Sequence, residues 1–341
     1  LLPPDINESS YKFIPLNNNQ ILYGLGAIKG SGDSSIDLIL SERKNNGPYR
    51  SLFDFTLRLD LTKVNRRVVE SLVRSGAFDK IEPNRASLLA SVNLAIKMAE
   101  QSKNEAGQEG LFGGSDIDAI KLVEMNPWEE KNKLLEEKVA LGFYFSGHLF
   151  SYYKKIIKSF ISTKLVNLKP RQESYLIAGI ISSVKYRPSS RGKIAIVTID
   201  DGEGRIDALL GNNLLTQSYN LIKDDELIII EGRVSVDDYS GGNRLSAIKV
   251  YDLITFQSLK ANLLKISLNG QADASKLKQL LKPYCDSDTT HKKCKVKIEY
   301  QNTQGRVELI LGSEWEVSLH EDLIIGLTES FDDDNVKILY N

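Results

Sequence analysis

Near residue 175 the spacing of apolar side chains changes from a helical repeat to an alternating one, and one class of secondary structure cannot hold both halves of this chain. Before that point Ile36, Ile39 and Leu40, then Val68, Val69, Leu72 and Val73, then Leu88, Leu89, Val92, Ala95, Ile96 and Ala99, each mark one face of a helix. After it, 175–184, 194–199 and 205–210 read as strands, bounded by turn residues such as Asp200-Asp201-Gly202-Glu203-Gly204. The spacing therefore predicts a multidomain α+β protein, which a length of 341 residues supports. Hydrophobic residues at 41% are enough to build real cores. A net charge of −1 gives no global field toward nucleic acid or membrane, so any such binding must come from local patches.

The helical part opens with an extended 1–6 segment, held so by Pro3 and Pro4. A short hairpin is expected over 13–23, around Asn17-Asn18-Asn19. A short helix ending at Gly30 and a second over 34–43, capped by Asp33 or Ser34, are joined by Gly30-Ser31-Gly32. This is the pattern of a helix-hairpin-helix. Glycine lets the backbone approach a phosphate, and the amides opening the second helix point at the anion. Lys29 adds charge, so Lys29, Gly30, Ser31 and Gly32 are candidate duplex contacts. A helix over 65–79 stops at Gly76, and another is expected over 84–103. Ser75-Gly76-Ala77 is then a second hairpin, with Arg66, Arg67, Arg74 and Arg85 around it. Tandem hairpins of this kind grip duplex DNA by its backbone and read little sequence. A glycine-rich connection and a solvated charged face remain the alternatives at this point.

The linker, 104–126, carries Gln108, Leu111 and Phe112 among Gly107, Gly110, Gly113 and Gly114. Glycines on both sides disfavour helix and strand, so two large apolar side chains stand in a loop. Either they tuck back onto a core, or they form a peg that fills a partner's apolar pocket while the Gln108 amide fixes register. A helical connector, 127–173, follows, with a helix over 129–141; His148 reads as structural.

The 174–258 stretch has three strands, a helix over 212–223 and two further strands over 226–236 and 244–254. That is the order of an OB barrel. Such barrels bind single strands through one face and the loops joining strands 1–2 and 4–5. The 1–2 loop is expected to hold Lys185, Tyr186, Arg187, Arg191 and Lys193, cations around a tyrosine that can stack on a base. Acids outnumber bases over 175–254, and a protein-binding barrel is the competing reading. Residues 259–341 alternate again: strand 263–268, helix 274–284, strands 294–300, 306–311 and 315–319, helix 320–330 and strand 336–340, a small α+β module. His291 and His320 stand alone, and Asp332-Asp333-Asp334 reads as a solvated turn. No nucleophile–base pair and no metal-ligand spacing is evident, and the expected set of catalytic and metal-binding residues is empty. Cys285 and Cys294 read as unpaired thiols of a reducing compartment, and no apolar run is long enough to span a membrane.

Three runs carry a family resemblance: Leu2-Pro3-Pro4-Asp5-Ile6-Asn7, Tyr23-Gly24-Leu25-Gly26-Ala27-Ile28-Lys29-Gly30, and Asn65-Arg66-Arg67-Val68 with Ser75-Gly76-Ala77-Phe78-Asp79. Together they resemble the bacterial DNA polymerase III alpha subunit, and the likeness continues in order along the chain. The resemblance implies that 1–103 holds the end of the fingers region and a tandem helix-hairpin-helix domain. It implies that Gln108, Leu111 and Phe112 are the internal sliding-clamp-binding peptide, of the form Gln-x-x-(Leu or Met)-Phe. The OB barrel would take the single-stranded template, and the C-terminal domain would bind the tau subunit of the clamp loader. Where that family has Gly-His-Pro, this chain has Gly147-His148-Leu149, a departure that bears on a local turn. The family's catalytic aspartates, which hold Mg2+ ions, lie N-terminal to Leu1. The chain is thus expected to be a cytoplasmic, DNA-binding fragment that needs no cofactor and does not polymerise alone. The alternative is a non-catalytic nucleic-acid-binding scaffold, such as a repair factor.

Overall fold

Leu1–Tyr152 and Tyr153–Asn341 form separate units in the computed structural model, which describes residues 1–16, 19–105, 120–190, 192–237, 241–269, 274–285, 293–303 and 305–340. Gln108, Leu111, Phe112, Arg191 and His291 lie outside the described residues.

In the first unit, β1 (Ile14–Leu16) and β2 (Gln20–Leu22) pair as the expected hairpin. The segment before Gly30 is shorter than a helix: a single 3-10 turn spans Leu25–Ala27. Then α1 (Asp33–Asn46) begins one position earlier than expected. Gly32 is its N-cap and makes no side-chain bond, while Asp33 lies inside the first turn, where its charge meets the positive end of the helix. Helix α2 (Leu52–Arg58) has no counterpart in the sequence reading, because seven residues show too little periodicity. Its local signal is Ser51, whose hydroxyl accepts the Asp54 N–H. Next come α3 (Arg66–Arg74), capped by Asn65 on the Val68 N–H, α4 (Arg85–Glu105), α5 (Glu130–Leu141) and α6 (Leu149–Ile157). The apolar stripes of α1 to α5 meet around Phe55, which packs edge-on against both Tyr49 and Phe78, while α6 spans the boundary between the two units and adds nothing to that core. Each such ring taken fully from water contributes about 1.5–3 kcal/mol.

Helix α3 ends in a Schellman motif, with the Ala77 N–H on Leu72 O and the Gly76 N–H on Val73 O, both at 3.0 Å. Gly76 sits at φ 84°, and a Cβ there would collide with the Arg85 guanidinium. Gly76→Ala is therefore expected to cost about 1–3 kcal/mol, the strain of a left-handed alanine plus the displaced arginine. Gly47 has φ 81° with no atom within 4 Å of an added Cβ, so Gly47→Ala should carry the strain alone. Paired thermal melts read the difference, and equal losses would remove the arginine contact from the account.

In the second unit β3 (Tyr175–Ser189), β4 (Gly192–Asp200), β5 (Arg205–Leu210), β6 (Leu227–Val236) and β7 (Asn243–Tyr251) close into a barrel of order β3-β4-β5-β7-β6. Between β5 and β6 lies α7 (Asn212–Gln217), followed by a 3-10 turn at Tyr219–Leu221. The expected helix over 212–223 thus breaks at Ser218. Ile177, Val197, Ile199, Ala208, Ile230 and Leu245 fill the interior. Alternation of such apolar residues, with β-branched Ile or Val at four of the six positions, gave the strand signal.

After α8 (Leu253–Lys260), β8 (Ala261–Asn269), α9 (Ala274–Cys285), β9 (Lys295–Gln301), β10 (Arg306–Ile310), α10 (Glu321–Phe331) and β11 (Val336–Tyr340) build the last module. Its sheet runs β10-β9-β8-β11. Leu277, Leu281, Leu323 and Leu327 of the helices bury against Leu264, Ile266 and Val296 of the strands. The expected strand over 315–319 is instead a 3-10 turn at Ser313–Trp315 and a single bridge between Cys294 and Val317. Both cysteines are buried thiols that are not joined in a disulfide.

Candidate nucleic-acid interface

The first hairpin and the start of α3 come together. Gly30 has φ 84°, and an added Cβ would lie 3.3 Å from both Arg67 Nε and Ser71 Oγ. The absent side chain is what lets the Arg67 stem lie along the turn. Arg66 and Arg67 are exposed, as are Lys29, Gly30 and Gly32. Arg66 bonds Glu70 at 2.6 Å, a surface pair one helical turn apart that contributes little and can open to a phosphate. The Lys29 N–H is held by Ala140 O at 2.7 Å, and the end of its side chain, Cε and Nζ, lies beside Gly142. The Ser31 hydroxyl is spent on Leu25 O and Ile28 O, so it braces the turn. Asp33 accepts the Tyr11 hydroxyl at the head of α1, and that bond pushes the Tyr11 pKa up.

The second hairpin is different. Arg74 is drawn into an ion pair with Glu136 of α5, near Glu70. Arg85 is buried against Asp79, at 2.6 Å, and Glu137, at 3.2 Å. Gly76 is itself buried under that guanidinium. The second turn therefore offers no open backbone, and the exposed charge collects at Lys29, Arg66 and Arg67.

In the barrel, the stretch expected as a 1–2 loop is mostly strand. β3 runs on to Ser189 and β4 starts at Gly192, so Lys185, Tyr186 and Arg187 pair with Ile196, Ala195 and Ile194. Alternation then separates them. Tyr186 shares a side with Ala195 and, across β4, Leu210, both fully buried, while Lys185 and Arg187 take the other side. Lys193 lies with Tyr186, its Nζ 4.2 Å from the ring centroid. Across from them stands Tyr219, in the stretch expected as a helix over 212–223. The break at Ser218 leaves it 58% exposed, with its ring centroid 6.5 Å from that of Tyr186. The one sequence signal for it was a tyrosine among Ser218, Asn220 and Lys223, polar neighbours that do not suit a core.

Among the described residues no group of three or more His, Cys, Asp or Glu side chains could hold a metal ion, and no helix is long and apolar enough to cross a membrane.

Residues 1–88 match the helix-hairpin-helix motif family, 175–253 the OB-fold nucleic acid binding domain, and 276–330 the DNA polymerase III subunit alpha C-terminal domain. Over 93% of its length the chain is 39% identical to DNA polymerase III subunit alpha of Neisseria meningitidis, and over its full length 34% identical to the subunits of Vibrio cholerae and Escherichia coli. It spans only 28% of the first relative and 30% of the other two.

Proposed function

The chain belongs to the DNA polymerase III subunit alpha family, and from that premise we propose that it is the part that holds DNA and tethers a replicative polymerase to its sliding clamp. The observation that carries the reading is the convergence of Lys29, Gly30 and Arg67 on one exposed turn, upstream of an OB barrel and the family's C-terminal domain. Cations around a glycine turn bind phosphates without reading bases, which is what a polymerase sliding on any sequence needs.

In this reading 1–103 grips product duplex, Gln108, Leu111 and Phe112 in the 104–126 linker engage the clamp, and 127–173 connects to a barrel over 174–258 that takes a single strand. Residues 259–341 engage the tau subunit of the clamp loader. The intact subunit is a cytoplasmic DNA-directed DNA polymerase whose Mg2+ ions are held by aspartates outside this chain. This fragment supplies no catalytic residue.

The duplex reading is tested by salt. Arg66→Gln with Arg67→Gln should weaken binding of a short duplex and flatten the slope of log affinity against log salt by about one unit per lost phosphate contact, about two in all. Two unrelated duplex sequences should lose equally. A slope left unchanged, or a loss confined to one sequence, would remove these arginines from the grip.

A further inference from the structure

We propose that Tyr186 and Tyr219 form a slot for one unpaired nucleobase at the end of the barrel, between the β3–β4 hairpin and the turn after α7. The proposal rests on the single-strand reading of the barrel and gives it a place. Strands β4 and β5, the usual platform of such barrels, carry no aromatic residue: their sequences are Gly-Lys-Ile-Ala-Ile-Val-Thr-Ile-Asp and Arg-Ile-Asp-Ala-Leu-Leu. Tyr175 is buried under the Arg171 guanidinium, and Tyr251 packs on Phe256. Among the described residues of the barrel, the exposed rings are Tyr186, at 38%, and Tyr219, at 58%.

Their separation suits the ligand. Stacked bases rise by about 3.4 Å, so a base held between two rings needs them about 7 Å apart. The centroids stand at 6.5 Å, and the planes are tilted by 31°, so the gap widens toward one side.

The slot is also built on fixed supports. Tyr186 stands in the ladder opposite Ala195. The hairpin end is pinned to α7 by the Lys193 N–H on Asn212 Oδ1 at 3.1 Å, and the left-handed Gly192, φ 104°, lets Asn212 come that close. Of the charged groups facing the rings, Lys193 lies over Tyr186 and suits a flanking phosphate, while Asp224 opposes it. Aromatic faces take any base, so the slot selects unpaired strands rather than a sequence.

The test uses the whole chain, with fluorescence anisotropy on an end-labelled oligothymidylate and on a fully abasic strand of the same length and charge. Tyr186→Ala and Tyr219→Ala should each weaken oligothymidylate binding about tenfold. Both should bind the abasic strand as the unsubstituted chain does, which also reports that they are folded. Tyr186→Phe and Tyr219→Phe should stay within about twofold on both strands. The slot is overturned if Tyr219→Ala leaves oligothymidylate binding unchanged, or if its loss is equal on the abasic strand. It is overturned too if the unsubstituted chain binds both strands equally. If that chain binds neither strand, the single-strand reading itself falls, and the slot with it.

Discussion

Alanine at Gln108, Leu111 and Phe112 together is expected to weaken binding of a bacterial sliding clamp about a thousandfold. In the proposed clamp peg Leu111 and Phe112 would be the anchors, and truncating a well-seated apolar anchor costs about 2 kcal/mol. Two of them come to about 4 kcal/mol, close to three decades of affinity, before the Gln108 hydrogen bonds are counted. The flanks of the peptide carry their own support. On one side α4 continues to Glu105. On the other, residues 120–126 lie back along α4, with the Val123 N–H on Ser91 Oγ at 2.8 Å and the Met125 N–H on Ser87 Oγ at 3.1 Å. Asn84 Nδ2 donates to Met125 O at 2.8 Å, and Ile120 and Leu122 pack on the core of the first unit. The triple variant should therefore keep its melting temperature while losing the clamp. Surface-plasmon titration of the clamp, with a melt of the same preparation, reads both. A clamp affinity within threefold of the unsubstituted chain would end the peg reading. Unfolding of the variant would show that Leu111 and Phe112 serve a core instead.

What could be read beforehand follows from what is local. Val68, Val69, Leu72 and Val73 announce α3 because spacing along a helix is written into the chain, and the alternation of 194–199 announces β4 in the same way. The order of three strands, helix and two strands was enough for the barrel, since few topologies close that set. Helix α2 escaped because it is short. The hairpin of β3 and β4 escaped because Pro188 and three nearby serines and glycines look like loop, yet the ladder continues to Ser189 and Gly192. The site was less legible still. Arg66, Arg67, Arg74 and Arg85 are alike in sequence, and what sorts them is far away. Glu136 takes Arg74 across 62 residues, and Glu137 takes Arg85 across 52. Tyr186 and Tyr219 likewise meet only because α7 breaks at Ser218. Periodicity reports which face of an element is covered, and it does not report which acid will reach which base.

That sorting makes Glu137 the position where one substitution should damage the first unit most. Its side chain is 1% exposed and accepts four hydrogen bonds: from the Phe145 N–H at 2.9 Å, the Ser146 N–H at 2.8 Å, Ser146 Oγ at 3.1 Å and Arg85 Nη1 at 3.2 Å. Burial alone would pull the Arg85 pKa down, but the hydrogen bond and charge of Asp79, with Glu137 behind them, hold it above the ordinary arginine range. Glu137→Ala leaves that guanidinium buried with one carboxylate, and leaves two amides of the 142–148 turn without an acceptor. Breaking one side of a buried pair costs about 3–5 kcal/mol, and the surviving Asp79 contact puts the expected loss near the lower figure. A melting temperature lower by about 10 °C should follow for a unit of this size. Glu137→Gln keeps one acceptor oxygen and should lose less. Arg85→Met combined with Glu137→Gln should lose less than the sum of the two changes, because neither charge is then stranded. The damage should also reach the proposed duplex grip: the Lys29 N–H rests on Ala140 O one turn further along the same helix, so a frayed α5 would release the first hairpin. Duplex affinity of Glu137→Ala should fall at temperatures well below its own melt, whereas Gly47→Ala, strained but distant from that contact, should bind duplex normally. A Glu137→Ala variant within 1 kcal/mol of the unsubstituted chain would mean that water, not Glu137, satisfies Arg85 and the turn.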